Sequence, residues 1–232
     1  MAINYSYSEQ SGYHVIRTHV SNIVSEVIKK PVCSTSNYGM NGGFFVSSDY
    51  SQPPQSSVSI AHDGVTGNPS TNAKYRDTFF TYIENGSTKA GVARCNSVAE
   101  LKKDVGYLNF KTLIGGGSLS LPVSEESFKN VHEQEEWNIN AGLPVTRRSG
   151  LAFKNESGGV YAYLVVSTGF KTLYNLRNFL KEDLACTNAI FLDGSGSSQM
   201  QVFANGSLIQ EKGSDPGAGR YIWNMVKLIN KS

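Results

Sequence analysis

An acidic loop behind an apolar run is the part of the sequence best suited to carry chemistry. Ala189–Leu192 predicts a strand, and Asp193 follows it directly. A carboxylate at a strand end is held rigidly and can face a cleft. The turn after it is made of small residues whose N–H groups and hydroxyls suit an anion: Gly194, Ser195, Gly196, Ser197 and Ser198. The residues alone leave an ordinary Asp-Gly hairpin turn as the alternative.

A second glycine-rich corner opens into an aromatic strand. Asn41 precedes Gly42 and Gly43, and Phe44-Phe45 come next. An amide both donates and accepts hydrogen bonds, which suits a sugar hydroxyl or acetamido group, and the glycines leave room for a ligand. An Asn-Gly turn that starts a hairpin explains the same residues.

Two further corners offer a cation and a tight turn. Arg147-Arg148 stand before a predicted strand, and the fork of donors on a guanidinium fits a phosphate, although such a pair is also typical of a solvated loop. The corner Gly115–Gly117 has neither the spacing nor the lysine of the phosphate-binding glycine motifs, so a nucleotide cradle is not indicated.

Composition excludes several classes of partner and cofactor. The formal net charge is only +2 and the basic residues are scattered, so neither a nucleic-acid polymer nor a membrane surface is indicated. The three cysteines, Cys33, Cys95 and Cys186, form no CxxC pair. We therefore expect neither a disulfide framework nor a zinc site. No histidine has a second ligand at metal-binding spacing, so we expect no metal or other cofactor, with calcium on the oxygens of Asp193 and Asn41 as the exception to test.

The N-terminal residues lack the basic and apolar regions of a secretion signal, and no stretch approaches the roughly 20 apolar residues that span a bilayer. We accordingly expect a protein that is cytoplasmic or released without a signal peptide.

Short apolar or alternating runs bounded by turn residues predict strands. They are Tyr13–His19, Gly43–Val46, Ser57–Ala61, Thr78–Ile83, Ala90–Arg94, Phe110–Ile114, Gly150–Phe153, Val160–Ser167, Ala189–Leu192, Met200–Ala204 and Tyr221–Leu228. Helical spacing predicts two helices, Val98–Val105 and Lys171–Leu184. No linker divides the chain. The expected fold is α+β, a single domain over residues 1–232 with a β-rich mixed sheet system and a few helices.

Taken together, the four corners resemble the phosphodiester glycosidase family. Its signatures are an Asn-Gly-Gly-Phe-Phe corner, a Gly-Gly-Gly corner, an arginine-led strand and an Asp-Gly-Gly-Gly-Ser-Ser loop. All four occur here in that order, and the resemblance spans roughly Val15 to Val226. Two positions depart from the pattern, since Ser195 and Ala152 stand where the family usually has glycine.

The resemblance implies hydrolysis of a glycosyl phosphodiester or a related glycosidic bond. It assigns catalysis to Asp193 and Arg148, and substrate binding to Asn41, Gly42, Gly43, the small residues of the acidic loop, and Arg220. A second carboxylate stays open between Glu84, Asp63 and Asp215. A bacterial or bacteriophage setting, with cell-wall glycan, surface polysaccharide or a nucleotide-linked sugar as substrate, fits these features.

Two other functions stay open at this point. A serine hydrolase would use Ser195 or Ser197 with a histidine, but the nucleophile-elbow pattern is absent around both serines. A non-catalytic glycan-binding module would not need Asp193. It would instead use the aromatic residues Tyr38, Phe44, Phe45, Tyr221 and Trp223.

Overall fold

Antiparallel sheets make up most of the chain in a computed structural model, which describes residues 5–62, 70–106, 109–135, 145–215 and 217–231. The largest sheet has six strands in the order β1-β2-β13-β12-β14-β11. Their bounds are β1 Tyr5–Gln10, β2 Tyr13–His19, β11 Gly117–Ser118, β12 Ser149–Glu156, β13 Gly159–Ser167 and β14 Asn188–Phe191. This sheet carries the acidic loop, because Asp193 follows β14.

Two other sheets pack with it. A five-stranded sheet has the order β16-β15-β4-β17-β3, with β3 Ile23–Lys30, β4 Gly39–Asn41, β15 Gln199–Ala204, β16 Ser207–Lys212 and β17 Ile222–Leu228. A four-stranded sheet has the order β7-β10-β8-β9, with β7 Ala61–His62, β8 Thr71–Glu84, β9 Ser87–Ser97 and β10 Asn109–Gly115. A short pair joins β5 Phe45–Val46 to β6 Ser56–Ser57.

The six-stranded sheet is covered on both faces, and β13 shows why its sequence is almost continuously apolar. Leu164 and Val166 face a core shared with the other two sheets, where they pack with Met40 and Phe79. The alternate residues of β13 face a second apolar cluster built on the helical segment after Thr172. Side chains of a strand alternate between its faces, so both sets must be apolar here.

Three α-helices lie in the described residues: α1 Val98–Val105, α2 Glu125–Gln134 and α3 Leu173–Asn178. The first matches its predicted bounds, with the Ser97 hydroxyl accepting from Glu100 N and Gly106 ending it at φ 87°. The sequence prediction missed α2. Its apolar spacing is sparse, and it buries mainly Phe128 and His132, four residues apart.

The helix predicted over Lys171–Leu184 is shorter and changes type. Thr172 caps α3, and a π-helical turn follows over Phe179–Asp183, where Leu184 N donates to Phe179 O at 3.0 Å. The ring of Phe179 stacks on Tyr13 with centroids 4.2 Å apart. The five-residue step keeps both Phe179 and Leu184 in the apolar cluster.

The described residues form mostly β-strands with a few helices, which confirms the expected β-rich fold. Most strand predictions hold to within a few residues at their ends, and β14 and β17 exclude Leu192 and Tyr221. Two predictions fail in part: only Phe45–Val46 of the predicted Gly43–Val46 is a strand, and Ser57–Ala61 is divided between β6 and β7. The strands β1, β3, β4, β11 and β16 were not predicted. In the described part of the chain, no helix is long and apolar enough to cross a membrane.

We expect Gly39→Ala to destabilise the protein by about 2–4 kcal/mol, because Gly39 has φ 144° and an added Cβ would lie 2.1 Å from the Val226 carbonyl oxygen of the paired strand. Gly169→Ala is the matched control, since nothing lies within 4 Å of its Cβ position, and we expect it to stay within about 0.5 kcal/mol. Urea unfolding measures both. Equal stability of the two variants would contradict the close approach of β4 and β17.

Candidate functional site

Asp193 is held by its own backbone at the point where β14 ends. Its N–H donates to Gly42 O at 3.2 Å, and its carbonyl oxygen accepts from Asn41 Nδ2 at 2.8 Å. The side-chain Oδ1 accepts from Gly194 N at 2.9 Å. The structure therefore brings together the acidic loop and the Asn-Gly-Gly corner, which are about 150 residues apart in sequence.

Burial raises the pKa of Asp193 to about 6. The Ser197 hydroxyl, the Gly194 N–H and the Arg220 guanidinium all favour the ionised form and limit this rise. Ser197 Oγ is buried and lies close enough to Asp193 to lower the pKa of its carboxyl group. It does not reach hydrogen-bond geometry with Asp193 or with any other described residue. The exposed strand-end carboxylate expected from the sequence is in fact only partly accessible.

Asn41 is fully buried, and the protein uses its whole hydrogen-bonding capacity. Besides Asp193 O, its Nδ2 donates to Gly42 O at 3.2 Å. Its Oδ1 accepts from Ser149 Oγ at 2.7 Å and from Gln199 N at 3.1 Å. The sequence analysis expected this amide to bind a sugar directly. The structure corrects that expectation, because no polar atom of the side chain is left for a ligand. Asn41 instead positions the acidic loop.

The two glycines after Asn41 make room for the protein itself. A Cβ on Gly42 would lie 2.5 Å from Asn224 Oδ1, and a Cβ on Gly43 would lie 2.4 Å from Gly115 O. The sequence analysis expected these glycines to leave room for a ligand. In the structure they instead allow this corner to pack closely against β17 and against the Gly-Gly-Gly corner.

Arg148 lies beside the acidic loop. Its N–H donates to Ser167 Oγ at 2.8 Å and its Nε donates to Lys171 O at 3.1 Å, which fixes the start of its side chain. A Cβ on Gly194 would lie 4.0 Å from Arg148 Nη1, so the guanidinium borders the turn. Burial lowers the pKa of Arg148 to about 10, and the group is cationic at neutral pH.

The neighbouring arginine has a different task. Arg147 Nη1 forms a salt bridge of 2.8 Å with Glu211 Oε2. Its carbonyl oxygen accepts from Ser195 N at 2.9 Å and so supports the acidic loop through the backbone. Of the arginine pair, Arg148 is thus the member whose guanidinium borders the acidic turn.

The small residues after Asp193 differ in accessibility. Ser195 is exposed at φ 57° and begins a 3-10 turn, Ser195–Ser197. Gly196, Ser197 and Ser198 are buried, and Ser198 Oγ lies 3.0 Å from Ser149 Oγ. Of the three serine hydroxyls expected to bind substrate, only that of Ser195 reaches solvent, and this is the position where the family usually has glycine.

Arg220 reaches the same turn from the start of β17. Its Nε donates to Asp215 Oδ2 at 2.7 Å, and its guanidinium stacks on Tyr50, 3.7 Å from the ring centre. A Cβ on Gly196 would lie 2.5 Å from Asp215 Oδ1 and 2.6 Å from Arg220 Nη2. This salt bridge therefore packs directly on the acidic loop, which only a glycine at position 196 permits.

The geometry distinguishes two of the three carboxylates considered as partners of Asp193. Asp215 packs on the acidic loop. Glu84 lies at the end of β8, six residues after Thr78, and Thr78 is the β8 residue that pairs with Gly115 near the site. Six strand residues span roughly 20 Å, which removes Glu84 from this site. Asp63 lies outside the described residues.

Asn224 is a polar residue of the site that the sequence analysis missed. It is 1% exposed and its amide has no hydrogen-bond partner among the described residues, although it packs against Gly42. A buried amide normally finds a partner, so this group is suited to a water or a ligand atom. A signal was present in the sequence: Asn224 alternates with Val226 and Leu228, both buried in the apolar core, so a polar residue stands on an apolar strand face.

The described residues contain no group of three His, Cys, Asp or Glu side chains placed to hold a metal. Three histidines are engaged away from the acidic loop. His14 Nδ1 lies 2.7 Å from Tyr7 Oη, and His19 Nδ1 lies 2.8 Å from Ser21 Oγ. His132 is buried with its pKa lowered to about 4, mainly by burial.

Comparisons with known proteins identify the family and the fold of this chain. The profile of the phosphodiester glycosidase family matches residues 34–228. The catalytic domain of zebrafish N-acetylglucosamine-1-phosphodiester alpha-N-acetylglucosaminidase, auto-inhibited by its pro-peptide, aligns over 97% of this chain and 81% of its own, with 18% identity and a TM-score of 0.62. A putative exported protein of Burkholderia pseudomallei aligns over 93% and 73%, with 12% identity and a TM-score of 0.63. These two likenesses establish a shared fold. Curated protein sequences contain no match.

We expect Asn41→Ala to lower the free energy of unfolding by about 3 kcal/mol or more, because it leaves buried partners of the amide without hydrogen bonds. Asn96→Ala is the control, since Asn96 is exposed and should change stability by less than about 0.5 kcal/mol. Chemical denaturation measures both. A stable Asn41→Ala protein would show that the acidic loop is held by other contacts.

We expect Asp193→Asn to become more stable relative to the wild type as pH rises from about 4 to above 6. The folded pKa is raised above the unfolded value, so ionising Asp193 in this window costs the wild type stability, on the order of 2–3 kcal/mol. Unfolding free energies of both proteins at pH 4 and pH 7.5 measure the change.

Asp104→Asn gives the baseline for that comparison, because it removes a carboxylate from the exposed face of α1. A stability difference between Asp193→Asn and wild type that stays constant with pH would mean that water solvates the Asp193 carboxylate.

Proposed function

Because this chain belongs to the phosphodiester glycosidase family, we propose that it hydrolyses a glycosyl phosphodiester at the bond between the sugar and the phosphate. Asp193 and Arg148 carry the reaction in this proposal. The observation that supports it most directly is a carboxyl group with a pKa near neutrality on a loop bordered by two guanidinium groups, those of Arg148 and Arg220.

The arginines suit the leaving group. Arg148 is desolvated, and a cation interacts more strongly with an anion where water is excluded. A phosphomonoester has a second pKa of about 6, so it departs with little need for protonation. Binding of the phosphate by Arg148, with support from Arg220 and the N–H groups of the turn, replaces the general acid that most glycosidases use.

Asp193 acts on the anomeric side of the bond. A pKa of about 6 leaves the carboxylate ionised at neutral pH and still basic enough to take a proton from water. In that step the water oxygen bonds to the anomeric carbon, Asp193 accepts the proton, and the electron pair of the broken C–O bond leaves on the phosphate. Direct attack by the carboxylate is the other route, and the anomer of the first product distinguishes them.

Asp215 has a supporting role in this proposal. Its carboxylate holds Arg220 through Nε and Nη2 above Gly196, at 2.7 and 3.4 Å. A salt bridge of this kind fixes the direction of a guanidinium. Asp215 therefore orients Arg220 toward the acidic loop instead of supplying a second catalytic carboxyl group.

The geometry gives little support to the two rival functions. Of the two candidate nucleophiles, Ser197 is buried and Ser195 is exposed, but the histidines His14, His19 and His132 bond to other groups. The aromatic residues of the alternative binding module are all only partly exposed. Among them, Tyr38 packs edge-on against Tyr5 and Phe44 against Phe191, so they form no open platform.

The expected substrates are cell-wall glycans, surface polysaccharides or nucleotide-linked sugars of a bacterium or bacteriophage. Cys33, Cys95 and Cys186 are all free thiols, which fits synthesis of the protein in a reducing compartment. A panel of glycosyl phosphodiesters that varies the sugar and the alcohol on the phosphate identifies which class is cleaved.

We expect Asp193→Asn to lower hydrolysis by several orders of magnitude on every substrate, and Arg148→Ala to impair a glycosyl phosphodiester far more than an aryl glycoside with a neutral leaving group. The reason is that Asp193 acts on the sugar, whereas Arg148 contacts only the phosphate. Steady-state kcat/KM for both substrates measures the effects.

Arg147→Ala is the matched control for Arg148→Ala, because it removes the same charge from the same loop while its guanidinium pairs with Glu211. Equal loss on both substrates in Arg148→Ala rejects the phosphate role. An active Asp193→Asn protein rejects the catalytic assignment itself.

A further inference from the structure

A cleft of about 480 Å³ lies apart from the acidic loop, between the β8–β9 hairpin and the loop that joins β11 to α2. Tyr75 and Asp77 line it from β8, and Arg94 from β9. Ser120 and Asn188 complete the polar lining, and the remaining lining residues are apolar: Val92, Ala93, Pro122 and Val123.

Two carboxylates share one cation at this cleft. Arg94 Nε lies 3.8 Å from Asp77 Oδ1 and 3.8 Å from Glu135 Oε1. The carboxylate of Glu135 behind them is fully buried and accepts from Asp77 N and Ser118 N, both at 2.8 Å. A further anion would meet these two carboxylates, and a further cation would meet the Arg94 guanidinium, so the lining favours an uncharged ligand.

The polar groups can pair with hydroxyls in both directions. The Asp77 carboxylate accepts hydrogen bonds. The Arg94 guanidinium donates them, and one of its nitrogens, Nη1, already bonds to Gln134 Oε1 at 2.9 Å. Asn188 Oδ1 accepts from Ala189 N at 2.9 Å, which leaves its two amide N–H groups without an acceptor among the described residues. Tyr75 is 46% exposed and offers an aromatic surface at the edge of the cleft. A sugar ring, with an apolar face and a rim of hydroxyls, has the matching chemistry.

The far wall of the cleft is rigid. Arg177, which is 2% exposed, donates from Nε to Leu119 O at 3.0 Å and from Nη2 to Ser120 O and Val123 O at 3.2 and 2.5 Å. One side chain thereby fixes the loop from 119 to 123. A wall held in this way loses little conformational entropy when a ligand binds.

The cleft is separate from the candidate catalytic loop. Asn188 begins β14 and Asp193 follows its end, and five strand residues span roughly 16 Å. We propose that this cleft is a second carbohydrate-binding site, which holds one uncharged sugar unit between Tyr75, the Asp77–Arg94 pair and Asn188. Its occupation does not depend on the proposed hydrolysis.

The test uses the full chain carrying Asp193→Asn, so that turnover cannot consume the probe. Maltotetraose, cellotetraose, the β-1,4 tetramer of N-acetylglucosamine, and inorganic phosphate are titrated while amide chemical shifts are followed by NMR. We expect at least one tetrasaccharide to shift the amides of Tyr75, Arg94, Ser120 and Asn188. Tyr75→Ala and Asn188→Ala should each weaken that binding about tenfold, as expected for loss of one stacking or hydrogen-bonding partner.

Phe203→Ala is the matched control, because Phe203 is an aromatic residue with the same 46% exposure on the β15–β16 hairpin, and its loss should leave the affinity unchanged. Absence of shifts with all three saccharides, or affinity unaffected by Tyr75→Ala, overturns the proposal. Shifts at these amides with phosphate alone also overturn it. A wild-type protein that cleaves no glycosyl phosphodiester would reject the proposed hydrolysis and leave this measurement intact.

Discussion

The buried amide of Asn41 is the interaction on which the candidate site depends. A buried polar group must find hydrogen-bond partners, and this one finds them on several separate segments of the chain. It ties β4 to the end of β14 through Asp193, to the start of β12 through Ser149, and to the start of β15 through Gln199. Because each partner is itself buried or partly buried, the amide and the acidic loop can form only together.

The acidic loop takes this form because it crosses between two sheets. It leaves the six-stranded sheet at β14 and enters the five-stranded sheet at β15, so its ends belong to different layers. Gly42 and Gly196 allow the neighbouring segments to approach closely at this crossing, with Asn224 on one and Asp215 on the other. Strand ends from both layers therefore meet at one rim, where catalytic residues are commonly placed.

Close packing also sets the electrostatics of the loop. Burial of Asp193 raises its pKa, while the Ser197 hydroxyl, the N–H of Gly194 and the Arg220 guanidinium limit the rise. The result is a carboxyl group that titrates near neutral pH and costs folding free energy in its ionised form. Buried charged groups that lower the folding stability are common at functional sites.

Local sequence determined the strands with apolar alternation and helix α1 with its Ser97 cap, and it singled out Asp193 and Arg148 as candidate site residues beside predicted strands. These features depend on neighbouring residues only. The short strand β4 and the π-helical turn after α3 could not be predicted, because both depend on what they pack against. The same holds for the roles of individual groups. Only the tertiary structure shows that Asn41 supports the loop and that Asp215 lies on it, since burial and hydrogen-bond partners arise between segments far apart in the chain.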